Sequence, residues 1–269
     1  MSNHHELNAT ELNATELTAT ELNATELNAR RLPGFDARLA QTLAVLRNAA
    51  QAHAGHIVQA TSLGAEDMVI TDLIARHGLA VPLATLDTGM LHAETLALLP
   101  RITQRYGLAV ELFSPPAEAV LHFVAERGAR VMVDSLAGRK ACCALRKLEP
   151  LARMLQGRTA WVTGLRREQS GDRGDVAFVE ADGPGREKIN PLADWAWGDV
   201  WHYIREFDVP YNPLHDAFFP SIGCAPCTRA VALGEDFRAG RWWWEQSGTK
   251  ECGLHVHHGV PGTTESTAS

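Results

Sequence analysis

From residue 36 to residue 163 the chain alternates between helix-length amphipathic stretches and short apolar runs that stop at small-residue turns. Helical spacing marks 36–53, 65–77, 91–106, 117–127 and 142–155; β-type runs mark 57–61, 81–86, 108–113 and 159–163. Strands separated by whole helices pair in parallel, so the rhythm predicts an α/β fold with a parallel sheet and helices on both faces. In such sheets ligands bind beyond the carboxyl ends of the strands. The turns Ser62-Leu63-Gly64 and Asp87-Thr88-Gly89 and the 164–167 loop fall there. After residue 171 the rhythm weakens. Asp182-Gly183-Pro184-Gly185 predicts a turn between two strands, 197–207 a helix, and the chain from Pro210 onward a loop-rich region.

Residues 6–30 repeat a five-residue unit of the ELNAT type. At roughly 3.6 residues per turn, each repeat advances about 140° around a helix. The leucines therefore spiral and form no apolar stripe. The expectation is a flexible tail or frayed helix over 1–31, with the folded domain starting near Leu32-Pro33-Gly34. Asn-Ala-Thr matches a glycosylation sequon, which carries little weight without a secretory signal. No stretch has the makings of a signal peptide or a membrane span, so a reducing cytoplasm is the expected location. With a formal net charge of −7, the chain is not built as a general nucleic-acid binder. Yet Arg139, Lys140, Arg146 and Lys147 bracket an adjacent cysteine pair, and Arg166, Arg167, Arg229, Arg238 and Arg241 follow. That grouping suits a small anion.

Five cysteines divide into four plus one. Cys142 and Cys143 are neighbours, Cys224 and Cys227 form a C-x-x-C pair, and Cys252 stands apart in Lys-Glu-Cys-Gly-Leu-His. In a reducing compartment such cysteines are ligands or catalysts rather than disulfides. Four thiolates suit either a cubane iron–sulfur cluster or a tetrahedral zinc. Adjacent cysteines converge awkwardly on one ion but can each take a different iron of a cubane; both readings stay open on spacing. Cys252, near Lys250 and His255, is either a nucleophile or a passive surface thiol.

Ser62-Leu63-Gly64-Ala65-Glu66-Asp67 reads as a strand-to-helix turn able to hold a phosphate, or as an ordinary βα turn. It is neither a dinucleotide fingerprint nor a Walker A loop. In Leu86-Asp87-Thr88-Gly89 a backbone edge could read a base, and Asp87 alone reads best as a cap. Trp242-Trp243-Trp244 is expected to bury two rings and lay one over a loop, with a docking surface as the alternative. His255, His257 and His258 are metal candidates or simply solvated.

These pieces together resemble the assimilatory sulfonucleotide reductase family, in particular its iron–sulfur adenylyl-sulfate reductases, from about His56 to His255. The most specific parts are Cys142-Cys143-Ala-Leu-Arg146-Lys147, Cys224-Ala-Pro-Cys227 and Glu251-Cys252-Gly253-Leu254-His255. The resemblance implies a Rossmann-like fold related to the ATP pyrophosphatases. It implies reduction of adenosine 5′-phosphosulfate, or of its 3′-phosphorylated form, to sulfite and a nucleotide with electrons from thioredoxin or a similar dithiol protein. Both cysteine pairs imply a [4Fe–4S] cluster on Cys142, Cys143, Cys224 and Cys227, and the substrate without the 3′-phosphate.

By the same resemblance the catalytic residues are Cys252, Lys147 and His255. Ser62, Gly64, Leu86, Thr88, Gly164, Arg166, Arg167, Arg238 and Arg241 bind substrate, with Arg238, Arg241 and His255 gripping the phosphosulfate. The domain division expected is 1–31, 32–235 and a flap, 236–269. Neither a nucleic acid nor a membrane is expected as partner, and homo-oligomerisation is left open. The rivals are the 3′-phosphorylated substrate, an adenylating or thiolating ATP pyrophosphatase, and a zinc-stapled adenosine-binding module.

Overall fold

A computed structural model of the chain describes residues 23–169, 175–232 and 234–245. Its strands are β1 (Ile57–Ala60), β2 (Leu83–Leu86), β3 (Val110–Phe113), β4 (Ala160–Val162), β5 (Val179–Ala181) and β6 (Glu187–Ile189). They form one sheet in the order β3-β2-β1-β4-β6-β5. Every pairing is parallel except β5 with β6, the hairpin expected around Asp182-Gly183-Pro184-Gly185.

Successive strand residues serve opposite faces. Ile57, Leu83, Ala160 and Val162 join the larger core, packed with the helices Phe35–Ala52, Ala65–Arg76, Leu98–Tyr106 and Trp197–Phe207. Val58, Ala84 and Trp161 join the other, under the helix Glu149–Met154. Burial on both faces is why the central strands read as continuous apolar runs. The chain steps from β1 outward to β2 and β3, then crosses to β4 on the other side. The loops leaving β1 and β4 therefore part and open a crevice.

The structure departs from the sequence expectations in three places. The tail does not run to residue 31. Parts of the last two repeat units form a helix, Ala24–Asn28, closed by a capping box between Asn23 and Glu26. Alanines dock it, not leucines: Ala24 and Ala29 are 1% and 4% exposed. The Ala24 N–H donates to Asp216 Oδ1 at 2.7 Å, and Arg30 N–H to Gly198 O at 3.1 Å. A Cβ on Gly198 would lie 2.9 Å from Arg30 Cβ, so a glycine admits this close approach.

Second, the helix expected over 91–106 starts late, because Leu91 is drawn into an antiparallel bridge with Cys224, and is divided into Ala93–Leu96 and Leu98–Tyr106, where Pro100 has no N–H to give to Leu96 O. Third, the helix expected over 142–155 starts at Leu136, capped by Ser135, and passes through a π-helical turn, Ala144–Leu148, before Glu149–Met154. Among the described residues no helix is long and apolar enough to cross a membrane.

Candidate active site

A cavity of about 220 Å3 opens beyond the carboxyl ends of β1, β2 and β4. Each wall is set by a local device. In the first, Leu63 holds a left-handed backbone (φ 61°), unusual for a branched residue, while its side chain is 1% exposed in the core. Asp67, in the first turn of the following helix, reaches back. Its Oδ2 accepts from Ser62 N–H and Ser62 Oγ–H, both at 2.6 Å, which fixes Ser62 and Gly64 at the rim.

The second wall is the turn after β2. Asp87 Oδ1 accepts from Gly89 N–H at 2.9 Å, so Asp87 caps its own turn. Leu86 and Thr88 face the cavity. The third is Gly164, where a Cβ would fall 2.6 Å from Asp67 Oδ1, so a bare glycine is what lets the loop cross the acid.

Arg238 and Arg241 enter from the C-terminal loops. Arg241 is threaded between the 221–223 backbone and the Trp242 ring, its guanidinium carbon 4.7 Å from the ring centroid. A Cβ on Gly223 would stand 2.5 Å from Arg241 Nη2. Lys147 joins them, on the π-helical turn.

Behind Lys147 the four cysteines surround a small second cavity. Cys142, Cys143, Cys224 and Cys227 are 6%, 9%, 7% and 8% exposed, packed with Met132 and Trp242. Neighbours on a regular helix point about 100° apart. The change from α- to π-winding directly after Cys143 accompanies two adjacent sulfurs that share one void, and such π turns recur at functional sites. Burial raises the Cys142 thiol and pushes Cys227 up to about 11, against the pull of Arg146, Lys147 and Arg241 nearby. Among the described residues no group of three or more His, Cys, Asp or Glu is arranged to hold a single metal ion.

The two cavities are tied together. Thr88 Oγ1 lies 3.3 Å from Cys224 Sγ, and Arg146 Nη1 donates to Thr88 O at 2.7 Å. Lys147, Cys224 and Trp242 line both. Of the three tryptophans, Trp242 is 1% exposed and Trp243 is 44% exposed, with Trp244 partly buried, so one ring rather than two is fully inside.

Most of the described residues expected at the site do line it: Ser62, Gly64, Leu86, Thr88, Lys147, Gly164, Arg238 and Arg241. Arg166 and Arg167 do not. Arg166 is 1% exposed and donates to Glu66 Oε1, Glu168 Oε2 and Trp195 O. Arg167 pairs with Asp194 and donates to Val176 O at 2.7 Å. Both fasten the loop to its surroundings, and sequence spacing cannot show a guanidinium already matched by carboxylates.

Removing one member of a buried pair leaves the other charge uncompensated. Arg166→Ala should therefore lower stability by about 3–5 kcal/mol, read as a fall in the urea midpoint at unchanged slope. Cys252 and His255 lie outside the described residues.

Sequence reasoning missed several lining residues, His215 and the 221–223 turn among them. His215 is held neutral, burial pushing it down to about 4. The advance signals were a histidine two residues after Pro213, and Pro220 and Gly223 just before the C-x-x-C pair.

Residues 56–230 match the phosphoadenosine phosphosulfate reductase domain. The chain belongs to that family. A relative from Allochromatium vinosum, named adenosine 5′-phosphosulfate reductase, is 54% identical over 76% of this chain and 80% of its own. A solved structure of phosphoadenylyl-sulfate (PAPS) reductase from Candida auris, in a phosphate complex, aligns with TM-score 0.61 and 27% identity over 76% of this chain and all of that one. FMN adenylyltransferase from Candida glabrata shares the fold at TM-score 0.52 and 16% identity, over 81% of this chain and 76% of its own. The α/β fold read from the alternation and the reductase resemblance therefore stand.

Proposed function

We propose that the chain reduces adenosine 5′-phosphosulfate to sulfite and AMP in sulfate assimilation, through a sulfonated Cys252 and with thioredoxin or a similar dithiol protein as reductant. The observation that carries this reading is the division of one cavity into an apolar slot and a cationic end beside four cysteines. Ala60, Leu86, Leu151, Met154 and Trp161 make the slot, and its apolar walls suit a purine. Lys147, Arg238 and Arg241 make the cationic end, suited to a phosphosulfate. The relatives' names supply the substrate.

A thiolate approaching an anionic phosphosulfate is repelled unless fixed cations offset the charge where it develops. That task is assigned to Lys147, Arg238 and Arg241, which line the cavity, and to His255. The Cys252 sulfur attacks the sulfonate sulfur. A sulfur–sulfur bond forms, the bond from sulfur to the bridging oxygen breaks, and its electron pair leaves with AMP. A thiolate of the dithiol protein then attacks Cys252 Sγ, and sulfite departs with the pair of the sulfur–sulfur bond. The second thiol resolves the mixed disulfide and returns the Cys252 thiolate. With four cysteines committed elsewhere, no internal thiol is left to resolve it, so an external dithiol and a reducing cytoplasm are required.

The residues fit a [4Fe–4S] cluster: four soft, buried sulfurs around one void, from two segments, with cations near enough to favour thiolates. Cys142, Cys143, Cys224 and Cys227 would hold it, and when bound it would organise the site and tune its charge.

The decisive experiment is a trapped adduct. Incubation with labelled adenylyl sulfate and no reductant should leave one sulfonate per chain, located at Cys252 by peptide mass; a label on another residue, or none, would sink the mechanism. Lys147→Ala should lower kcat/KM about 100-fold, with little change in melting temperature. An unchanged rate would remove Lys147 from the chemistry.

A further inference from the structure

The docked helix Ala24–Asn28 shows what the five-residue repeat can bind. Asn23 caps it and Glu26 closes the capping box. Ala24 and Ala29 enter the core, Ala29 as the C-cap with extended backbone. The ends are anchored by Ala24 N–H on Asp216 Oδ1 and Arg30 N–H on Gly198 O, while Asn28 Nδ2 donates to Ala24 O at 2.9 Å. The groove between the helix Trp197–Phe207 and the turn at Asp216 therefore recognises a cap, two small side chains and backbone N–H groups.

Those features are carried by seven residues, Asn-Ala-Thr-Glu-Leu-Asn-Ala at 23–29. The identical string occurs at 8–14, and residues 13–19 differ from it only by Thr18 in place of the second asparagine. Past the string at 8–14, Thr15 stands for Arg30 and keeps the backbone N–H that Gly198 O accepts, and Leu17 stands for Leu32. Glu16 stands for Arg31 and forfeits the ion pair with Asp36, an exposed contact of little value. Nothing this groove touches tells one copy from another.

We infer that residues 8–19 are a second docking sequence for this groove in the same chain, and take it when Ala24–Asn28 leaves. Docking them shifts the register by ten or fifteen residues, which must loop out. Closing such a loop costs about 30- to 60-fold in population, so Ala24–Asn28 holds the groove while it is intact. A tethered segment is present at an effective concentration of about millimolar, which favours the chain's own tail over a second copy's. The groove backs the active site. Asp216 Oδ1 also accepts from Tyr211 O–H at 3.0 Å, and His215 beside it lines the cavity. A filled groove braces that wall, and the upstream copies are its reserve.

Two substitutions cover every register. Ala24 is the first alanine of the string at 23–29 and the second of the string at 18–24; Ala14 is the first at 13–19 and the second at 8–14. Both alanine positions are nearly sealed where the string docks, 1% and 4% exposed, so an arginine at either blocks docking. Hydrogen exchange on the full chain, read by peptide mass, reports the occupant. In the wild type, 23–30 should be protected. In Ala24→Arg that protection should vanish, and exchange over 8–19 should slow at least about tenfold. Ala14→Arg alone should leave 23–30 unchanged. The double variant should protect neither stretch and should exchange faster over 211–217.

Ala24→Leu, which crowds the site without adding charge, repeats the test, with peptides from β1 and β4 reporting that the fold is kept. Unchanged exchange over 8–19 in a folded Ala24 variant overturns the inference. Slowing that grows with protein concentration also overturns it, because a second copy's tail would then fill the groove. Slowing that persists in the double variant does the same, since it would lie outside the groove. Loss of the fold in both Ala24 variants would show that no reserve exists.

Discussion

Replacing Cys252 by serine should abolish sulfite release while AMP binding survives. A hydroxyl keeps the shape of the thiol but stays protonated near neutrality, whereas the thiol is readily ionised and intrinsically nucleophilic. Losing the nucleophile of a covalent mechanism should lower turnover by at least about 10,000-fold. The cationic end and the apolar slot are unaltered, so calorimetric affinity for AMP should stay within about threefold. Measurable sulfite from the variant, or a protein that no longer binds AMP, would count against assigning the chemistry to this one sulfur.

The second large effect concerns the buried quartet. Protein purified without oxygen should be brown and carry about four irons per chain. Cys227→Ser should lose most of that iron, its visible absorption and its sulfite production together. Cys227 is one of the four buried sulfurs, 8% exposed, with burial raising its thiol. A serine there can supply no thiolate, and three ligands hold a cubane poorly. Iron content by a colorimetric assay and the absorption spectrum give the answer directly. A colourless wild type with one zinc would overturn the cluster assignment and revive the zinc-stapled alternative.

How much was legible in advance follows from the range over which each signal acts. The strands β1, β2 and β4 were found within two residues because burial on both faces writes a local apolar run into the chain. The helices Ala117–Arg127 and Trp197–Phe207 were read with their observed ends, since Pro116, Gly128 and the Ala196–Asp199 turn punctuate them locally. The late start of the helix at Ala93 was missed because its cause is remote: Leu91 pairs with Cys224, far along the chain. The docked helix Ala24–Asn28 was missed for a related reason. A hydrophobic stripe was sought, but the contact is small residues against Gly198, which no periodicity reveals.

The site divides in the same way. Composition and spacing alone separated four cysteines from a fifth and put the strand-end turns at the ligand end of the sheet; the family resemblance then singled out Ser62, Gly64, Leu86, Thr88 and Gly164 in and beside them. Both depend on residues close in sequence, where the chain's own geometry allows few alternatives. The tertiary structure alone decided which cations line the cavity. Arg238 and Arg241 reach the cavity, while Arg166 is consumed by Glu66 and Glu168. It alone left Asp67 Oδ1 bare beneath Gly164. A charge's partner and a buried atom's missing partner are set by segments a hundred residues away, and they come into being only when those segments meet.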